Sequence, residues 1–551
     1  MLALTAGATM FTAGADANSP TYLDSSASAA IRAGDLLGRM TLAEKAGQMT
    51  QIRLGKLRGD CQWTPGPLQP NCMKDVLADH AAGSILSGGG DYPVPDNTPR
   101  AWAEMTNSIQ KYAIENSRLH IPVVYGADGV HGHNNLLGAT LFPQQLGLAA
   151  TFDPALVTAS TTSTRHAMLA TGVHWDFAPV ADLARDTRWG RYYETFGEDP
   201  YLAGTLDAAA VDGLQGDRNH PAMAATVKHF GAYSQPLNGH DRVPADVSVR
   251  YLQDTLLKPY QAEVDAGVLT AMANSGAVNG VPAHASKYLL TGQLRDRMGF
   301  GGVVVSDWQD VRNLVDAYHL APDYEHAIAM SVNAGLDMAM EPSEAGDFQT
   351  NLIKAVHDGL ISQHRIDQSV RRILTLKFRL GLFEHPYVDA AAANGLVYGA
   401  DTDVARQAAA ESAVLLKNSG SALPLAGTAK VVVTGPNADN GAAQLGGWSI
   451  GWQGVPAGVT PPAVTIRHAF DTETGGAAVY APDQASAVAA LKSADVAVAV
   501  IGETTPGAEG LNDSENPVVP ADQQALVAAL KATGKPVVVV MIASRPLVLG
   551  S

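Results

Sequence analysis

The stretch GFGGVVVSDWQDV, residues 299–311, is a hydrophobic run that ends on a carboxylate with an indole beside it. Val303-Val304-Val305, bounded by glycines, reads as a buried strand that delivers Ser306, Asp307 and Trp308 in sequence. A strand buried on both faces has no structural use for an ionisable group, and leaving one unpaired there costs several kcal/mol. The stretch therefore asks for a fold whose strand ends are functional positions.

Working outward, similar short apolar runs recur at 83–90, 121–128, 146–151, 175–182, 224–230, 268–274, 302–308 and 335–340. Longer helical patterns, such as 201–214 and 247–266, fill most of the gaps. Eight strand candidates alternating with helices predict an α/β fold of the (β/α)8-barrel type, expected over residues 18–385. Such a barrel carries its active site at the C-terminal strand ends, and several of these runs finish there on Asp128, Asp182, Lys228-His229 and Asp307.

After a helix expected at 363–381, residues 386–401 lose periodicity and read as a linker. A second unit, 402–551, opens on a helix expected over 403–418. It continues with strands at 430–435, 495–503 and 535–543, separated by helices at 484–493 and 521–533. Strand–helix–strand crossovers imply parallel strands and an α/β sandwich. The sequence closes on IASRPLVLGS, just after a strand, and the expectation is a sandwich domain that is C-terminally incomplete.

The totals fit this reading. The 551 residues are 46% hydrophobic and 17% charged, as in globular chains, and long enough for more than one domain. A formal charge of −17 disfavours nucleic acid and anionic membranes and suits a neutral or cationic substrate. No segment reaches the length of a membrane span. The N-terminal run, closing on Ala15-Asp16-Ala17, is a candidate signal-peptide remnant over residues 1–17 or a flexible terminus. Cys61 and Cys72, the only cysteines, flank the Pro-rich CQWTPGPLQPNC. A local disulfide in an exported, periplasmic or secreted protein is the natural reading, and two unpaired thiols the other.

Nucleotide-binding glycine loops and HExxH are absent and no strand-to-helix turn carries a GxSxG elbow, so no cofactor is expected. His131 and His133 in HGHNN lack a nearby carboxylate pair and read as hydrogen-bonded structure; no metal site is expected. What remains at the strand ends is carboxylates with His, Lys, Arg and Trp. Flat aromatic faces and charge-assisted hydrogen bonds are how proteins hold sugars, and two carboxylates across a bond are what glycoside hydrolysis requires.

The segments IPVVYGADGVHGHNNLLGATLFPQQLGLAATFDPALV, RDTRWGRYYETFGEDPYL, VKHFGAY, GFGGVVVSDW, ESAVLLKNSGSALPL and GGWSIGWQG, in this order, resemble glycoside hydrolase family 3 of the exo-β-glucanase/β-glucosidase type. The resemblance runs over nearly the whole chain from about residue 32. It implies a site between barrel and sandwich, and a retaining mechanism releasing β-D-glucose from the non-reducing end of β-glucosides or β-glucans.

By that resemblance Asp307 matches the nucleophile, and Trp308 and Trp452 the pair that holds the leaving-group sugar. Asp128, Arg191, Lys228 and His229 match the groups that grip the glucose hydroxyls. The acid/base matches Glu509 in VIGETTPGAEGLND, with Glu503 as its rival; one extra residue separates the two glutamates, and Gly507 stands where relatives carry an aromatic. Ser275 takes another position that relatives give to an aromatic, near the nucleophile. Trp448 reads as core, and Arg188 as a partner of Asp186 or Glu194.

Alternatives within the family are a β-xylosidase, and a β-N-acetylglucosaminidase whose histidine loop would correspond to KHFGAYSQPLNGHDR, where His240 and Asp241 stand in the wrong order. A non-catalytic sugar-binding relic is the alternative of another class. A monomer or homodimer is expected.

Overall fold

The computed structural model describes residues 20–505 and 507–550; the candidate signal-peptide remnant at 1–17 lies outside them. Eight short strands carry the first domain: Thr50–Arg53 (β1), Ser84–Ser87 (β2), Val124–Ala127 (β3), Trp175–Asp176 (β4), Thr226–Phe230 (β5), Thr270–Ala273 (β6), Val303–Val305 (β7) and Ala339–Met340 (β8). They run in the order β8-β1-β2-β3-β4 and β5-β6-β7, every pair parallel. Parallel bridges Trp175–Ala224 and Val180–Lys228 join β4 to β5, and Val305–Met338 joins β7 to β8, so the ring closes. Helices such as Pro99–Asn116, Pro154–Ala170, Pro200–Gln215 and Gln363–Arg379 surround it.

The barrel has eight strands as expected, but not the expected eight. The run at 146–151 is the helix Gln145–Ala149, not a strand. A short apolar run cannot be assigned by periodicity alone, and here Leu148 and Ala149 bury one helical face. The missing strand is β1, TQIR, whose polar letters hide a fully buried segment. Its Gln51 donates to Ser84 Oγ on β2 at 2.8 Å, a polar contact inside the barrel.

At the foot of β8, Asp337 is buried but held by Arg295, Arg365 and Arg372 at 2.5, 3.5 and 3.0 Å, a fully paired structural charge.

The second domain is a four-stranded sheet, Val431–Thr434 (β9), Val479–Ala481 (β10), Val496–Gly502 (β11) and Val537–Ile542 (β12), in the order β10-β9-β11-β12 and parallel throughout. Helices Gln484–Leu491 and Ala521–Lys531 pack Ala487, Leu491, Leu526 and Leu530 on one face. Helix Ile466–Glu473 packs Ile466 and Phe470 on the other, which makes three layers. β12 is an edge strand whose side chains are half-buried or exposed.

The helix expected over 403–418 runs only from Thr402 to Glu411. Val414, Leu415 and Leu416 beyond it are exposed and non-helical. β-Branched Val414 and the Asn-Ser-Gly-Ser that follows favour turns over helix. Between the domains, a short helix, Ala393–Val397, lies against the barrel helices 99–116 and 154–170, so the linker region is packed rather than free.

Candidate active site

At the C-terminal end of β7, Asp307 is 7% exposed. Its backbone N–H donates to His284 Nε2 at 3.1 Å, and its Oδ1 accepts from the Trp308 N–H. Its Oδ2 has no hydrogen-bond donor among the described residues. The nearest ring is His229 at the end of β5, whose Nε2 lies 3.9 Å from that oxygen. Asp182 accepts from the His229 backbone N–H at 3.1 Å and contacts Nδ1 at 2.9 Å, and Tyr260 donates to the same carboxyl at 2.8 Å. Burial, with Arg191, Lys228 and Arg242 nearby, pushes the imidazole well below its usual pKa. A neutral ring whose Nδ1–H is given to Asp182 presents Nε2 as an acceptor, suited to a hydroxyl.

Asp128, just beyond β3, accepts from Lys228 Nζ at 2.8 Å. The loop that carries Asp128 is tied down by the Gly129 N–H donating to Asp176 Oδ1 at 2.8 Å. Arg191 is 2% exposed and forms a two-pronged pair with Glu194, at 3.0 and 2.7 Å. Its remaining Nη1 lies 3.7 Å from Glu509 Oε1. Across that carboxyl, Arg242 Nη2 lies 3.7 Å from Oε2. Despite two guanidinium groups, burial dominates and holds the Glu509 pKa up to about 7, helped by Asp241 and Asp307. Glu509 and Arg242 both sit in left-handed backbone, φ 54° and 63°, which non-glycine residues seldom adopt.

Glu503 is placed otherwise. Its Oε1 accepts from Arg545 Nε at 3.1 Å and its Oε2 from the Ser544 N–H at 2.5 Å, so it belongs to the end of the second sheet. Arg545 also donates to the carbonyls of Thr187, Arg188 and Trp189 on the barrel and to Asn512 O, pinning the Glu509 loop to the barrel rim. Gly190 is part of the same seam. Its N–H donates to Asp513 Oδ1 at 2.8 Å, and a Cβ added to it would stand 2.0 Å from Glu509 O.

The two tryptophans meet at one turn. A Cβ on Gly88, just after β2, would lie 3.5 Å from the Trp308 ring, and one on Gly89 2.5 Å from Trp452 N. Trp452 is 38% exposed, whereas Trp448 is buried as expected. HGHNN docks this second-domain loop: His131 Nδ1 and Nε2 lie 3.0 Å from the carbonyls of Phe142 and Trp448, and Ile450 N–H donates to Asn134 O. Burial pushes His133 down to about 3, and its Nε2 meets Thr171 Oγ1 at 3.0 Å. The one three-residue group among the described residues that could hold a metal, Asp323, Glu325 and His326, starts a barrel helix and is engaged in capping and with Lys354.

Several groups at this site escaped sequence reasoning. Arg242 and Asp241 belong to GHDR, and Asp310, three residues after Asp307, opens the helix Asp310–Asp316. Burial and Asp307 push Asp310 up to about 7, and Asn313 donates to it at 2.7 Å. Ser275 accepts from Arg242 Nη1 at 2.8 Å, so a serine–arginine contact occupies the place given to an aromatic. Trp189 Nε1 donates to Asp241 Oδ1 at 2.9 Å. A polar run after a strand ending in Lys-His was the available signal for Arg242; for Asp310 it was a second carboxylate three residues after Asp307. His240, meanwhile, faces outward to Glu515 at 2.5 Å. Arg188 pairs with Asp186 at 2.6 Å.

Residues 41–376 match the glycosyl hydrolase family 3 N terminal domain, and residues 413–551 the C-terminal domain of that family. The lysosomal beta glucosidase of Dictyostelium discoideum is 39% identical over 94% of this chain and 66% of its own length. The periplasmic beta-glucosidase of Salmonella typhimurium is 32% identical over 94% of this chain and 68% of its own. The chain thus spans about two thirds of the length of these relatives. Among solved structures, a β-glucosidase from Erythrobacter marinus superposes with a TM-score of 0.85 at 31% identity, covering 96% of this chain and 73% of that one.

Proposed function

The chain belongs to glycosyl hydrolase family 3, and from that premise we propose that it is a retaining β-glucosidase that removes β-D-glucose from the non-reducing end of β-glucosides or β-glucans. The observation that carries the reading is a pair of unlike carboxyls in one site. Asp307 has a bare Oδ2 beside His229, and Glu509 is held protonated up to about 7 among charges that include Asp307. Retaining glycosidases need this division of labour between two carboxyls.

In the first step Asp307 Oδ2 attacks the anomeric carbon, forming a glycosyl ester. The bond to the leaving oxygen breaks, and that oxygen takes the proton of Glu509. In the second, Glu509, now ionised, takes a proton from water, whose oxygen displaces Asp307 from the anomeric carbon. Asp128, Lys228, His229 and Arg191 grip the hydroxyls of the glucose. Charge-assisted donors and acceptors of this kind discriminate between substrates that carry a hydroxyl and those that lack it. Trp308 and Trp452 hold the leaving sugar between two indoles. Arg242, through Ser275 and Glu509, positions the acid rather than touching sugar.

Every one of these groups comes from a single chain, so a monomer or a homodimer suffices. Export, to a periplasm or outside the cell, accords with the Cys61–Cys72 disulfide, Cα atoms 5.5 Å apart, since such bridges persist in oxidising compartments. The periplasmic relative points the same way.

Hydrolysis of p-nitrophenyl β-D-glucopyranoside followed by proton NMR tests the reading. β-Glucose should form first and α-glucose only by later mutarotation, and Asp307→Ala should abolish turnover. First appearance of α-glucose, or an Asp307→Ala chain as active as its parent, would sink it.

A further inference from the structure

One exposed aromatic on the same rim has no part in the chemistry above. Trp63 is 62% exposed at the tip of the loop after β1. An indole left in water forgoes a large burial gain, and this one is held in place with unusual thoroughness. The disulfide Cys61–Cys72 closes the loop, a bridge between Arg58 and Leu68 pairs its base, and Asp60 accepts from Gln62 N–H, Thr64 N–H and Thr64 Oγ1.

One face of the Trp63 ring lies on the guanidinium of Arg53, 3.8 Å away, and the exposure of the residue leaves the other open. Arg53, the last residue of β1, is 5% exposed, and its Nε and Nη1 have no partner among the described residues. Its Nη2 reaches Asp91 Oδ1 at 3.1 Å, which also accepts from Arg58 at 2.9 Å. Asp91 in turn closes the glycine turn, its N–H donating to Gly88 O at 2.9 Å. That turn touches both Trp308 and Trp452. An unbroken line of contacts therefore runs from Trp63 through Arg53 and Asp91 to the two tryptophans on the leaving-group side.

We propose that Trp63 is a further sugar platform, beyond Trp308 and Trp452, which stacks on the third glucosyl residue of a β-glucan oligosaccharide. A fixed indole offers an apolar face to the C–H side of a sugar ring at little ordering cost, because the cross-linked loop is rigid before substrate arrives. The platform rests on the β-glucosidase reading of the site and gives it a preference for chain length.

The test compares the parent with Trp63→Ala and Trp63→Phe on p-nitrophenyl β-D-glucoside, on laminaribiose and cellobiose, and on laminaritriose and cellotriose. Trp63→Ala should raise KM about tenfold for the trisaccharides, leave the disaccharides and the aryl glucoside within twofold, and leave kcat unchanged. Trp63→Phe should restore part of the loss. An unchanged trisaccharide-to-disaccharide ratio of kcat/KM would overturn the proposal and make Trp63 a cover for Arg53. An equal fall on all substrates would also overturn it, assigning the loop a supporting role. A parent without activity on any of these would fail the β-glucosidase reading instead. Calorimetric titration of laminaritriose into Asp307→Asn, with and without Trp63→Ala, would still read the platform: tenfold weaker binding supports it, and equal binding overturns it.

Discussion

The division between Asp307 and Glu509 is a matter of surroundings rather than residue type. Glu509 is taken out of water beside Asp241 and Asp307, and burial keeps its proton on to about pH 7 although Arg191 and Arg242 oppose this. Its protonated form is the one that can assist a departing oxygen, so the sign is fixed: kcat/KM for alkyl glucosides or disaccharides should fall as pH rises through about 7. Glu509→Gln should remove that limb and cost on the order of 10²- to 10⁴-fold on such substrates. It should cost far less on 2,4-dinitrophenyl β-D-glucoside, whose leaving group needs no proton. A pH profile of parent and variant on both substrates checks this. An unchanged limb in Glu509→Gln would assign the ionisation to another of the buried carboxyls, of which Asp310 is the nearest in kind.

At the scale of elements, the helices Pro200–Gln215 and Lys258–Ala266 bury a second pair of carboxyls, Asp207 and Glu263, behind Asp182. None of their four oxygens has a donor among the described residues, so a proton on the pair itself is the only donor available to it. Burial raises both well above ordinary carboxylates. Groups whose pKa rises on folding stabilise the fold at pH values below their unfolded pKa, here 3.8 and 4.5. That stability is lost as pH climbs through the folded values. Glu263→Gln should accordingly melt higher than the parent at alkaline pH, with the difference in Tm growing between pH 5 and 9. A constant difference across that range would contradict it.

Elements were also where the sequence was least legible. β7 was readable because three valines between glycines can hardly be anything else, and the barrel topology followed from repeated runs of that kind. β1 was not, because Gln51 is buried against Ser84 and Arg53 against Asp91, and no apolar letter records such partners. The helix at 145–149 failed for the opposite reason: Leu-Gly-Leu-Ala looks apolar in either geometry. Of the site, the residues at strand ends could be read, since burial makes a charge there conspicuous. Arg242, Asp241 and Asp310 lie in loops and first helical turns, where charge is ordinary and only the tertiary fold turns it inward.

Across the whole molecule, the proposed site exists only because two domains are held in register. Arg545 spans from Glu503 to three barrel carbonyls, His131 clasps the tryptophan loop, and Gly190 lets the Glu509 loop lie against the barrel. Gly190→Ala would set a methyl 2.0 Å from Glu509 O, so that loop must retreat while the barrel keeps its own contacts. A displacement of about 1 Å can cost 10²-fold, and such a loss is expected for cellobiose, with dinitrophenyl glucoside much less affected. Equal losses on both substrates, measured side by side, would place the damage in the barrel half instead.

The measurement that bears most directly on the account is trapping with 2,4-dinitrophenyl 2-deoxy-2-fluoro-β-D-glucoside, followed by peptide mass spectrometry. The fluorine slows breakdown of the ester, and the leaving group dispenses with the acid, so the probe interrogates the nucleophile alone. One fluoroglucosyl group per chain is expected, on the peptide carrying Asp307, and none in Asp307→Ala. Label on another carboxylate, or none on a chain shown to be folded, would contradict it.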